Sequence, residues 1–170
     1  MTAVLLVCLA ALTQPAPDFS GRWTIPAPPA QAPNVSGDMG SGWGSTITVA
    51  QTASALTVEY AFFTRGDMQP PMTFTFALDG SESKNTVMMG NGYQLERSKA
   101  VWEGQTLVIT TLHAFTDPST RKPATFEVTR KLSLESPNAL IVETTRGSAL
   151  GGPPSATRVV YRRAPPALFP

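Results

Sequence analysis

The chain has 170 residues, 42% of them apolar and only 15% charged, with a formal net charge of +1 at pH 7. That length fits one domain, and its charge is low beside the about 25% of an average soluble domain. No basic face or acidic block stands out, so nucleic acid and acidic substrates find no support as partners. Sixteen Pro and 13 Gly, together with frequent Thr, Val and Phe, favour strands joined by turns.

Residues 3–12, AVLLVCLAAL, are ten consecutive apolar positions. Ten are too few to cross a bilayer, and they match the apolar core of a secretory signal with small residues before Gln14 as its cleavage site. Residues 1–13 are therefore expected to be removed on export, the competing reading being a buried N-terminal strand or helix. Cys8 is the only cysteine, so cleavage would leave neither disulfide nor thiolate chemistry.

The first predicted strand is FSGRWTI, residues 19–25, with Phe19, Gly21, Trp23 and Ile25 on one face. Gly21 leaves space beside the large indole where backbone can approach or bend. Residues 26–44, rich in Pro, Gly and Ser, carry no hydrophobic period and read as a long loop, so residues 14–43 hold the first strand and this loop. Trp43 inside it reads as a turn residue on the barrel rim, with a lid over an opening as the alternative.

From residue 44 the period changes to two. Ile47 and Val49 share a face, as do Leu56, Val58, Tyr60 and Phe62, then Met72, Phe74, Phe76 and Leu78, and finally Phe126, Val128, Leu132 and Leu134. Such alternation marks half-buried strands. Short turn signals separate them, and no helical stripe exceeds two turns. The expectation is an all-β chain: an antiparallel meander of 8–10 strands over residues 44–164, closed on itself because closure removes exposed edges. The whole domain spans residues 18–164, and residues 165–170 are expected to be a disordered tail.

Gly21-Arg22-Trp23 at the start of the first strand, the meander, and the basic last strand ATRVVYRRA, residues 156–164, resemble secreted bacterial lipocalin-like proteins of the calycin group. The resemblance implies a lipocalin-like barrel, export to the periplasm or beyond, and a barrel closure in which an arginine of the last strand packs over Trp23. Arg158 or Arg162 is the expected partner, leaving Tyr161 outward with its hydroxyl in water. A fatty-acid clamp, an Arg and a Tyr two apart near the end of the barrel, is not reproduced: Arg158 and Tyr161 are three apart and face opposite sides of a regular strand.

No catalytic constellation is visible. His113, the only histidine, reads as an exposed hairpin residue, and with Asp117 it lacks a nucleophile for a triad. Asp67, Asp79 and Asp117 fall in turns, where Asp caps backbone groups. No metal or cofactor is expected, and the strands lack the paired aromatic girdles of an outer-membrane barrel. The expected protein is a monomer that binds a small apolar ligand rather than an enzyme, with Tyr60, Phe62, Phe74, Phe76, Trp102 and Arg130 as candidate ligand contacts. The alternative is an envelope structural or interaction module whose barrel is filled by side chains. Arg130 is in phase with the apolar face of its strand. Either it points inward and needs a carboxylate or an anionic head group, or a bulge turns it outward.

Overall fold

Alternation in the sequence becomes alternation in burial. In the computed structural model, which describes residues 15–26, 42–60, 71–89, 92–117, 120–148 and 153–165, the elements are all strands: β1 (Gly21–Thr24), β2 (Thr46–Gln51), β3 (Ala55–Tyr60), β4 (Met72–Ala77), β5 (Glu82–Met89), β6 (Gly92–Glu103), β7 (Thr106–Thr116), β8 (Pro123–Ser136), β9 (Ala139–Arg146) and β10 (Ser155–Arg163). They form one antiparallel sheet in the order β4-β3-β2-β1-β10-β9-β8-β7-β6-β5. The first strand pairs with the last, so the meander curls into a nearly closed ten-stranded barrel. Ile47, Val49, Leu56, Val58, Ile109, Leu132, Leu140 and Val142 are all buried inside it.

The remaining seam lies between β4 and β5, where no backbone ladder forms among the described residues. Side chains bridge it instead. Asn85 accepts from the Thr75 N–H at 2.8 Å and donates to the Thr75 carbonyl at 3.1 Å. One step along, Ser83 Oγ accepts from the Ala77 N–H at 2.8 Å. Both side chains are buried, and they pair backbone groups of β4 that no strand ladder satisfies on this side. Asn85→Ala is expected to cost about 1–3 kcal/mol, because it strands a donor and an acceptor of Thr75. Urea denaturation measures the loss, and hydrogen exchange should accelerate at the Thr75 amide. An unchanged exchange rate there would mean that Asn85 does not hold the seam.

One end of the barrel is solid. Residues 15–19 reach across it: Gln51 Nε2 donates to the Pro17 carbonyl at 2.9 Å and Gln105 Nε2 to the Pro15 carbonyl at 3.3 Å. Phe19 and Trp23 are fully buried, and the Trp23 indole N–H donates to the Phe19 carbonyl at 2.9 Å.

An arginine of the last strand does lie over that indole, but it is Arg163 rather than Arg158 or Arg162. Its guanidinium carbon sits 4.3 Å from the ring centroid. The β1–β10 register places Trp23 directly opposite Arg163, and cross-strand partners share a face. Val159 and Tyr161 therefore point inward with Arg163. Arg158 is outside, paired with Glu135 at 3.4 Å and Glu143 at 3.8 Å. Arg162 is exposed opposite Thr24. Tyr161, expected in water, is buried and donates its hydroxyl to the Gly44 carbonyl at 2.7 Å.

Gly21 now has two physical reasons. Its φ is +139°, a region that side chains avoid. A Cβ there would also collide with the Arg163 guanidinium, which hydrogen-bonds the Ser20 and Pro137 carbonyls at 2.8 and 3.1 Å. The space beside the indole belongs to an arginine.

Candidate functional site

Away from the plugged end, the barrel holds a cavity of about 410 Å³. One wall is a column of rings. Tyr60 stacks on Phe74 at 5.7 Å between centroids, and Phe74 on Phe76 at 6.4 Å. Period-two alternation puts all three inward on β3 and β4. Val87, Val128 and Met72 extend the apolar lining. Trp43 also lines the cavity, is 1% exposed and lies 6.4 Å from the Phe76 ring. The rim position expected for it becomes a wall position.

Polar side chains enter from β6, β7, β8 and β9: Glu96, Thr111, His113, Arg130 and Arg146. The pairing of β8 with β9 runs in even steps past Arg130, and the irregularity in that ladder lies farther on, between Leu134 and Ser136. No bulge turns Arg130 outward; it is 8% exposed. Its guanidinium carbon lies 5.0 Å over the Trp43 ring. Burial pushes Arg130 down to about 10, against a partial upward pull from Glu96 and a further downward push from Arg146. The group is thus still a cation at neutral pH. Tyr60 is pushed up to about 12 by burial, with Arg130 opposing, so it remains a neutral hydroxyl that can donate or accept.

Gly42, at a φ of +79°, lies where a side chain would meet the Arg130 guanidinium at 2.9 Å and the Arg146 guanidinium at 3.4 Å. Two cationic groups thus approach one backbone position on the cavity wall. Thr144 Oγ1, opposite Arg130 in the β8–β9 register, is buried without a hydrogen-bond partner.

His113 departs from its expected place. It lies in β7 with its side chain only 16% exposed, and its Nδ1 is 3.0 Å from Glu96 Oε1. The two residues face each other one step beyond the Arg97–Leu112 pair of the β6–β7 ladder. On its other side the imidazole stacks against Phe126, its register partner on β8, at 4.7 Å. Asp117 does not reach it but caps the following turn, accepting from the Thr120 N–H at 3.3 Å. Asp79 accepts from the Ser81 N–H at 2.9 Å, and this hydrogen bonding holds its carboxyl below the usual range.

Of the expected ligand contacts, Tyr60, Phe74, Phe76 and Arg130 converge on this cavity. Trp102 does not. It stacks on Phe19 at 5.7 Å, at the plugged end, where it borders a separate crevice with Asp18 and Leu78. Its position beside the β6–β7 turn, opposite Leu107, takes it there. Phe62 and Asp67 lie outside the described residues, as do residues 1–14.

His113 lies in phase with the buried Leu107 and Ile109 of β7, a signal the sequence did carry; Glu96 was missed because β6 reverses the usual pattern. Leu95 and Val101 face outward at 46% and 50% exposure, while Glu96 and Ser98 point inward. The available signal was a charge in phase with the buried Ala100 rather than with its apolar neighbours.

Among the described residues, no group of His, Cys, Asp and Glu is placed to hold a metal ion, and no helix is long and apolar enough to cross a membrane. Comparison with known proteins finds no matching family model, no similar curated protein and no similar solved structure.

Proposed function

We propose that this is an exported, lipocalin-like monomer that binds one small, largely apolar molecule inside its barrel, with the molecule's polar end toward Arg130. The observation that carries this reading is the cavity itself. Its volume of about 410 Å³ falls within the roughly 300–1,000 Å³ of small-molecule sites. Its walls combine stacked rings and aliphatic side chains with a few converging polar groups, the usual composition of such sites. The guanidinium of Arg130 is costly to bury, and an anionic or strongly polar ligand end would offset that cost. A barrel filled by side chains describes only the plugged half, around Trp23, Phe19 and Leu132.

The proposal of export rests on the apolar run at residues 3–12.

Native mass spectrometry of the protein purified from its own host tests these points together. The expected spectrum is a monomer lacking about the first 13 residues and carrying a co-purified lipophilic adduct. Organic extraction should remove the adduct, and re-addition should quench fluorescence from Trp43. A clean apo mass with no response to a panel of lipophilic probes would move the assignment to the structural module. Retention of Met1 in the exported protein would overturn the cleavage.

A further inference from the structure

Glu96 and His113 both line the cavity, and a purely apolar ligand would make no use of their polar atoms. His113 lines the cavity, and its Nε2 is buried with no hydrogen-bond partner. Glu96 is only 8% exposed and its carboxylate faces Nδ1. A carboxylate accepts only, so Nδ1 carries the hydrogen. In the neutral imidazole the lone pair then sits on Nε2. A buried acceptor left without a donor is costly, and the residue that carries it lines a cavity that also contains a cationic guanidinium.

We propose that this pair takes a proton from the bound molecule, and that the ligand is therefore an apolar compound with one weakly acidic O–H, of the phenol or enol class, held as its oxyanion. The inference rests on the binding function proposed above and narrows its ligand class. In the step, the ligand O–H bond breaks and an N–H bond forms at His113 Nε2. The electron pair stays on the ligand oxygen. Glu96 faces the resulting imidazolium, while Arg130 supplies positive charge for the oxyanion. No oxidant or further reactant is required.

Among the described residues, the titratable and charged groups that line the same cavity beside His113 are Tyr60 from β3, Glu96 from β6, Arg130 from β8 and Arg146 from β9. Two arginines against one glutamate make this part of the lining favour an anion. Phe126, stacked on the imidazole, and the Tyr60–Phe74–Phe76 column suit a flat ring carrying the hydroxyl.

The test uses 4-nitrophenol, whose phenolate is coloured, and its methyl ether 4-nitroanisole, which has no proton to lose. Equilibrium dialysis against the full-length protein and its His113→Gln and Glu96→Gln variants measures binding apart from ionisation, at a pH well below the solution pKa of the phenol. Near-ultraviolet circular dichroism confirms that the variants are folded. Bound 4-nitrophenol is expected to show the phenolate band in the wild type. Its phenolate-to-phenol ratio should be raised by about 10- to 1,000-fold, the effect of neighbouring opposite charge. His113→Gln should abolish the band and Glu96→Gln should weaken it, each read as the ionised fraction per molecule of 4-nitrophenol bound. Binding without ionisation, or equal ionisation in His113→Gln, would overturn the proton transfer and leave the apolar binding function standing. If neither compound partitions to the wild-type protein, the binding function fails and the proton transfer fails with it.

Discussion

Trp23→Ala is expected to destabilise the protein by about 3–5 kcal/mol, the cost of deleting a fully buried aromatic side chain. Three losses combine. The indole is fully buried, so its removal opens a cavity at the plugged end. Its N–H leaves the Phe19 carbonyl without that partner. The Arg163 guanidinium loses the ring it covers at 4.3 Å. A loss of this size consumes much of a typical domain stability of about 5–15 kcal/mol. Chemical denaturation should show a lower midpoint with an unchanged slope. Arg163→Ala is expected to cost less, because the side chain is largely exposed and an exposed cation–π contact contributes about 0.5–1 kcal/mol. A double-mutant cycle isolates their coupling. Zero coupling, or a Trp23→Ala variant with wild-type stability, would show that the plugged end does not hold the barrel together.

Arg130→Met should have the opposite profile, with folding kept and binding lost. Burial lowers the guanidinium to about 10, so folding penalises its protonated form. The unfolded chain therefore holds more protons above that value, and stability rises as pH increases through it. Below about 10 the penalty is present in full. Methionine fills a similar volume without it, although the contact with Trp43 is lost. Removing the guanidinium ends its burial penalty but takes a nearby cation from the buried Glu96, and these effects oppose each other, so the melting temperature should change little. Affinity for a ligand with an anionic end should fall by about 1.5–3 kcal/mol, the contribution of a hydrogen bond to a charged group, or roughly 10- to 150-fold in Kd. In the wild type, binding of such a ligand should weaken as pH rises through about 10; anion binding raises the guanidinium pKa, so the loss moves upward at saturating ligand. Calorimetric titration at two pH values checks both. Full affinity in Arg130→Met would place the polar end of the ligand elsewhere, whereas a variant that unfolds would make Arg130 structural.

The sequence by itself determined the all-strand meander, because period-two alternation is a local property: each buried set such as Leu56–Val58–Tyr60 or Phe74–Phe76 lies within one strand. It also identified Trp23 as the closing residue and four of the residues that line the cavity, since Tyr60, Phe74, Phe76 and Arg130 are simply the inward positions of their own strands. Register between strands is a property of pairs, and there the tertiary structure decided. The pairing of β1 with β10 chose Arg163 over Arg158 and Arg162 and turned Tyr161 inward. Height along the barrel axis separated Trp102, beside a turn at the plugged end, from the rings of the cavity. The same dependence on register hid the pairing of Glu96 with His113. They lie 17 positions apart in the chain, Glu96 on β6, whose exposed leucine and valine disguise its inner face, and His113 on β7, and only the β6–β7 ladder brings carboxylate and imidazole to 3.0 Å.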